Sequence, residues 1–329
     1  MTRAIRVIRP GLLTTIQDLG RPGHQREGVP VGGAMDTVAA RVANLAVGNG
    51  PGEATLEVTL LGPTLELDGD VVVAVAGADL GARLDGEPVM PGRAVRGRPG
   101  SRLTFAGPGA HCRAYVAFAG GIAVPPVLGS RSTYLRGRFG GLEGRALKAG
   151  DVLPLGQPSV LAHRIAERIR PGGSAAWTAW RGEVVAYSAS LVRAVRGAHF
   201  GALTPASAAA LLSQPFRIAP ESDRMGYRLT GPALELQLPM ELLSEAVTFG
   251  TVQLPPGGQP IVLMADRQTT GGYPRVLEVA TVDLPILAQA PPGAQIRFQE
   301  ISLETSQALY IERERRLARQ ELAIDLNLR

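Results

Sequence analysis

The densest grouping of side chains able to do chemistry is Ala265-Asp266-Arg267-Gln268-Thr269-Thr270-Gly271-Gly272-Tyr273-Pro274. These polar residues follow the apolar run 261–264 and are closed by two glycines, so a buried strand hands them to a loop, where binding groups sit on a rigid support. Asp266 can accept a proton or fix an amide N–H, Gln268 pairs naturally with an amide, and Tyr273 can cap a small ligand. Thr269 and Thr270 add hydroxyls. A second segment, Val127-Leu128-Gly129-Ser130-Arg131-Ser132-Thr133-Tyr134, offers the donor fork of Arg131 to a carboxylate, with Ser132 and Tyr134 to complete a cradle. A third runs from Thr14-Thr15-Ile16-Gln17-Asp18-Leu19-Gly20-Arg21 to Gly32-Gly33-Ala34-Met35-Asp36. Its glycines permit close backbone approach, and the free amides of a helix capped by Asp36 can receive an anion. Each segment also has a plainer reading: polar hairpin, solvated loop and helix cap. Ser222-Asp223-Arg224-Met225 and Leu243-Ser244-Glu245 are weaker, since a neighbouring Asp and Arg mostly serve structure.

Composition removes several alternatives. Of 34 Lys+Arg residues all but Lys148 are arginine, and Lys148 stands between Leu147 and Ala149. No GxxxxGK followed by Ser or Thr exists, hence no P-loop, and no Met-Lys-Met-like context for covalent biotin. The net charge of +5 is dispersed or interleaved with acids, as in Glu312-Arg313-Glu314-Arg315-Arg316, and aromatic stacking platforms are missing, so nucleic acid is not an expected partner. The single Cys112 excludes an internal disulfide and lies in a β-like stretch, where it reads as a buried strand residue. The histidines His24, His111, His163 and His199 show no metal-binding spacing, and no metal is expected. With no apolar signal core and no long apolar run, the expectation is a cytoplasmic, soluble chain that does not span a membrane.

The elements that must position these residues are mostly strands. Gly (41) and Pro (26) punctuate short β-like runs at 5–8, 55–61, 71–76, 102–106, 113–119, 184–187, 261–265, 276–282 and 295–298. Helices are expected after Asp36, after Thr204 with Pro205 at the first helical position, and over the tail 306–326. The chain also repeats itself: Leu56-Glu57-Val58-Thr59-Leu60-Leu61-Gly62-Pro63-Thr64-Leu65-Glu66-Leu67 matches residues 225–236 at six of twelve positions, and a PGxx[L/I]xF pattern recurs at 99–105 and 292–298. This predicts a mainly β protein of two related barrel domains, 1–156 and 157–305, with a few short helices and a C-terminal helical tail, 306–329.

At the same segments the chain resembles the allophanate hydrolase subunit 2 family, which includes KipA-type proteins and the C subunits of bacterial 5-oxoprolinases. The stretches that carry it are GLLTTIQDLGRPG, GVPVGGAMD, ANLAVGN, LEVTLLGPTLEL, GSRSTYLRGRFGGLEGRALKAGD, ESDRMGYRLTGPALEL and QPIVLMADRQTTGGYPRV. The resemblance implies a cyclophilin-like pair of β-barrels and ATP-dependent opening of 5-oxo-L-proline to L-glutamate, with ATP as co-substrate of a complex. It implies two partners, a KipI-like protein and a LamB/YcsF-like protein, as the other members of that complex. Two other roles stay open within the family: a biotin-dependent carboxyltransferase component of the urea carboxylase type, and a KipA-type regulator that binds a kinase inhibitor without turnover. Matched motifs and chemistry together single out Asp266, Gln268 and Arg131 as catalytic, and Thr269, Thr270, Tyr273, Ser132, Tyr134, Asp36 and Asn44 as substrate-binding. One departure stands out: where many relatives have an RxxxGP-like segment, this chain reads Arg193-Ala194-Val195-Arg196-Gly197-Ala198-His199-Phe200.

Overall fold

A computed structural model of the chain describes residues 3–174 and 190–328, so the expected strand at 184–187 lies outside the described residues. Contacts divide the chain into two compact units, Met1–Arg21 with Gly32–Ala186 and Leu317–Arg329, and Pro22–Val31 with Tyr187–Arg316. This division differs from the one expected from sequence, which ended the first domain at residue 156.

The first unit contains strands β1 (Ala4–Arg9), β2 (Leu13–Gln17), β3 (Thr55–Thr59), β4 (Thr64–Leu67), β5 (Val71–Gly77), β6 (Ala82–Leu84), β7 (Glu87–Pro88), β8 (Ala94–Gly97), β9 (Arg102–Phe105), β10 (Arg113–Phe118) and β11 (Val152–Pro154), with helices α1 (Thr37–Ala46) and α2 (Val160–Arg168). They make two sheets, ordered β11-β1-β4-β9-β6-β7 and β2-β3-β10-β5-β8, and these face one another across a core that includes Ile5, Val7, Leu65, Leu67 and Leu103 from one sheet and Ile16, Leu56, Val73, Val116 and Phe118 from the other. The barrel-like first domain expected from sequence is built from these two facing sheets.

Strand β5, Val71-Val72-Val73-Ala74-Val75-Ala76-Gly77, is buried along its whole length because both faces are covered. Val71, Val73 and Val75 point into the intersheet core, while Val72, Ala74 and Ala76 pack in a second cluster with α1 and α2. The small residues on that face match the alanine-rich helix, Thr37-Val38-Ala39-Ala40-Arg41-Val42-Ala43-Asn44-Leu45-Ala46, and let the two backbones approach closely. Helix α2 joins the same cluster through Ala162 and Ile165, its Ser159 hydroxyl accepting from the Ala162 N–H at 3.0 Å and donating to the Gly48 carbonyl at 2.6 Å. That packing is why the first unit runs past residue 156.

The second unit contains β12 (Leu191–Arg196), α3 (Pro205–Ser213), β13 (Phe216–Ile218), β14 (Gly226–Thr230), β15 (Glu245–Ala246), β16 (Thr251–Gln253), β17 (Ile261–Leu263), β18 (Thr270–Gly271), β19 (Arg275–Val279), α4 (Leu284–Gln289) and β20 (Gln295–Glu300). Seven of these strands close a barrel in the order β12-β19-β16-β17-β14-β13-β20, and β15 pairs with β18 beside it. Thr204 caps α3 as expected, accepting from the Ser207 N–H at 3.2 Å. The last helix, α5 (Leu303–Leu328), begins a little before the expected tail, and its Leu317 and Ile324 belong to the first unit's helix-covered cluster. No helix among the described residues is long and apolar enough to cross a membrane.

The repeated motif has the same packing role in both units. A Cβ at Gly62 would stand 2.3 Å from the Phe105 ring, and one at Gly231 would stand 2.6 Å from the Phe216 ring. Only glycine lets the Gly-Pro step lie flat on an aromatic ring in each copy.

Candidate functional site

Strand β17 leads into the polar loop of the second unit. Immediately beyond it Asp266 turns back: its N–H donates to the Arg224 carbonyl at 2.8 Å, and its carboxylate takes Nε and Nη2 of Arg224 at 2.8 and 2.9 Å. Both side chains are buried, so this pair anchors the loop to the start of β14 and commits the Asp266 carboxylate to a cation. The next residue is differently placed. Arg267 is partly buried, its Nη1 reaches the Met264 carbonyl at only 3.5 Å, its guanidinium lies 5.9 Å from the centre of the Phe249 ring, and its Nε is buried with no hydrogen-bond partner. Burial pushes its pKa down to about 10, against the attraction of Asp266 and Glu278.

Gln268 is exposed, with Nε2 3.5 Å from Oε1 of Gln253 on β16. Gln253 itself is buried and its Nε2 has no hydrogen-bond partner. The amide lies against Gly271, where a Cβ would stand 2.4 Å from that nitrogen. Thr269 and Thr270 face the β15 side: the Thr269 carbonyl accepts from Val247 N–H at 3.2 Å, and Thr270 pairs with Ala246. Tyr273 goes elsewhere. It is 45% exposed and lines a cavity of about 450 Å³ with Leu236, Pro239, Met240, Leu254 and Pro255, a cavity that residues 266–270 do not line.

In the first unit, the 127–134 segment closes on Asp18. One carboxylate oxygen of Asp18 takes the hydroxyls of Ser130 and Ser132, each at 2.6 Å, and the Gly20 N–H at 2.8 Å; the other takes the Arg131 N–H at 2.6 Å. Arg21, fully buried, donates to the carbonyls of Val127 and Ser132 and lies over the Phe139 ring at 4.9 Å. Gly140, at φ +71°, makes room for this arrangement, because a Cβ there would meet the Ser132 carbonyl at 2.1 Å. The Arg131 guanidinium is bound by the Val124 carbonyl at 3.0 Å and lies 3.9 Å from Glu53, while 36% of the side chain stays exposed. Tyr134 stacks edge-on against Phe139, 5.4 Å between centres.

Asp36 and Asn44 lie in the interior. Asp36 is fully buried and accepts from the Ala39 N–H at 2.9 Å as the cap of α1. Its own N–H donates to the Tyr115 hydroxyl at 2.7 Å, which donates in turn to Glu57 at 2.7 Å. Burial and the Glu57 charge push the Tyr115 phenol well above its ordinary range, so it stays protonated. Asn44 holds the turn after α1, donating to the Glu53 carbonyl at 2.7 Å and accepting from Asn49 at 2.9 Å.

The loops therefore bring Arg131 and Ser132 together around Asp18, and Gln268, the residue after Arg267, against Gln253, whereas Asp36, Asn44 and Tyr273 have separate surroundings. Sequence reasoning passed over Asp18, Arg267 and Gln253 as site residues. Asp18 and Arg267 stood inside quoted motifs. Gln253 carries only a weak signal, a polar amide between Val252 and Leu254 in an apolar strand. Among the described residues no three His, Cys, Asp or Glu side chains cluster as a metal site would require.

Against known proteins, the sequence profile of the carboxyltransferase domain, subdomain A and B, matches residues 27–300. This chain belongs to that family. Among its carboxyltransferase-domain relatives, the 5-oxoprolinase C subunit of Escherichia coli (strain K12) is 42% identical over 303 residues, 91% of this chain and 92% of that protein. The protein of the same name from Haemophilus influenzae is 38% identical over 295 residues and is covered to 90%. Urea amidolyase of Saccharomyces cerevisiae is 31% identical over 316 residues, 93% of this chain but only 17% of that much longer protein. Among solved structures, the Kluyveromyces lactis urea carboxylase superposes with a TM-score of 0.84 at 29% identity, over 99% of this chain and 29% of that one. TTHA0988 superposes with a TM-score of 0.78 at 38% identity, over 91% of this chain and 56% of that one.

Proposed function

We propose that this chain is the C subunit of an ATP-dependent 5-oxoprolinase, which opens the lactam of 5-oxo-L-proline to L-glutamate together with a KipI-like protein and a LamB/YcsF-like protein. The observation that carries this reading is end-to-end correspondence with a free-standing protein: the 42% identity to the Escherichia coli relative spans 92% of its length. The lactam is a stable amide, and ATP would activate it by phosphorylating its oxygen or a carboxyl group, so the developing negative charge needs fixed donors. The donors of the 267–271 loop supply them in this reading. This chain supplies no P-loop for the nucleotide, because Lys148, the one lysine, has no such context. The test is the reconstituted complex: glutamate release from 5-oxoproline that requires ATP and all three proteins is expected, and a stable complex that releases none overturns the reading.

A second reading has its own observation, since the family profile is that of a carboxyltransferase domain and a urea amidolyase is 31% identical over 93% of this chain. It requires a biotinylated carrier elsewhere, as Lys148 offers no attachment context. Transfer of labelled carboxyl from carboxybiotin to urea by the isolated chain distinguishes it from the first.

A further inference from the structure

We propose that Arg267 and Gln253 form a subsite for a small planar carboxylate, the acid group of the substrate. The inference deepens the functional reading above and rests on it for the identity of the acid.

Two polar groups in this part of the barrel lack partners, and both are donors. Arg267 Nε is buried with nothing to donate to, and the rest of its guanidinium has one long contact, to the Met264 carbonyl at 3.5 Å. Gln253 Nε2 is likewise buried without a partner, in a side chain that is 1% exposed. Gln268 links them: it follows Arg267 in the chain and its amide touches Gln253 at 3.5 Å. A buried donor left unpaired costs about 1–3 kcal/mol, and more when it is charged, so two together mark a place where an acceptor is missing.

The neighbouring carboxylates do not supply that acceptor. Asp266 is held by Arg224. Glu278 takes the hydroxyls of Thr248 and Thr251 at 3.1 and 2.8 Å. Glu245 is paired with Arg275 at 2.5 Å. Asp266 and Glu278, the two carboxylates whose charges act on Arg267, are each engaged by other donors, which leaves its guanidinium for a ligand. The donor set also selects among anions. A guanidinium edge and one amide N–H match the two oxygens of a carboxylate or carbamate, whereas a phosphate dianion calls for more cations or several backbone N–H groups. Gly271 belongs to the same design, since any side chain there would strike Gln253 Nε2 and push the amide aside.

The experiment uses the reconstituted complex and two substrates, 5-oxoproline and its uncharged carboxamide. For Arg267→Met, the KM for 5-oxoproline is expected to rise at least about tenfold with a smaller change in kcat, while kinetics on the carboxamide stay the same. Gln253→Glu, which places a like charge beside the acid, is expected to raise the same KM; Arg267→Lys is expected to recover part of the loss. An acid-over-amide preference that survives in both Arg267→Met and Gln253→Glu overturns the subsite while leaving the functional reading in place. If the wild-type complex releases no glutamate, that reading falls and binding decides the subsite. A rise in the chain's Tm with 5-oxoproline or with allophanate, lost in Arg267→Met, upholds it and names the acid; no rise with either overturns it.

Discussion

Asp266 and Arg224 form a two-pronged ion pair, Oδ2 to Nε at 2.8 Å and Oδ1 to Nη2 at 2.9 Å, with both side chains buried. The motif residue best suited by type to take a proton thus faces a fixed cation, and its neighbour Arg267 presents a buried, unpartnered Nε instead. Removing one member of a buried pair strands the other in a poor solvent, which costs about 3–5 kcal/mol. Asp266→Asn is therefore expected to lower stability by an amount of that order, read by urea unfolding. The double variant Asp266→Leu, Arg224→Leu should regain most of it. If the stable double variant retains glutamate release in the complex, Asp266 is a positioning residue; if it folds yet is inactive, its carboxylate takes part in the chemistry.

Asp18 organises the other polar loop by accepting from Ser130, Ser132, Gly20 and Arg131 within 2.8 Å. Asp18→Ala leaves buried donors unsatisfied, and a loss of about 2–4 kcal/mol is expected. Amide hydrogen exchange provides a local check. The Arg131 N–H should exchange much faster in the variant, while β10 amides change little. Uniform acceleration across the first unit would show that Asp18 has no special hold on this loop.

Acid should weaken the first unit through Asp151. Hydrogen bonds from Arg145, at 2.8 and 2.9 Å, hold its carboxyl below the usual carboxylate range, helped by the Lys148 N–H at 2.7 Å. A carboxyl depressed in the folded state stabilises the protein above its unfolded pKa of about 3.9, and that contribution disappears as pH falls through the folded value. A plot of Tm against pH should therefore drop below about pH 4, and Asp151→Asn should have a shallower drop from a lower plateau. An identical acid limb in the variant would rule Asp151 out as a contributor.

Cys112 should be silent in the folded protein. It is buried, burial pushes its thiol up, and Arg113 donates to its sulfur at 3.2 Å. The thiolate is the reactive form, so labelling by a disulfide reagent at neutral pH is expected only on unfolding. Stoichiometric labelling of the native chain at the rate of a free thiol would contradict this placement.

How far the sequence could be read differs from element to element. The strand over 71–76 and the helix after Asp36 were legible because their signals are local: a short valine-rich apolar run closed by Gly77, a capping carboxylate, and Gly48 after the last turn. The short α4 was not, since Leu284-Pro285-Ile286-Leu287-Ala288 is an unbroken apolar run before Gln289 and carries no period. The unit boundary was also hidden. Nothing in Val160-Leu161-Ala162-His163 says that it packs on the alanine face of β5, which begins 89 residues earlier in the chain.

The candidate site divides in the same way. Residue types alone located the loops at 127–134 and 265–274, because strings of polar side chains between a buried strand and glycines are informative wherever they occur. They could not say which side chains those loops leave available. That depends on partners distant in sequence: Arg224, 42 positions from Asp266, and Asp18, 112 positions from Ser130. Chemistry by residue type was determined locally. The tertiary structure decided which groups were neutralised by such contacts and which, like Arg267 and Gln253, were buried with donors still unpaired.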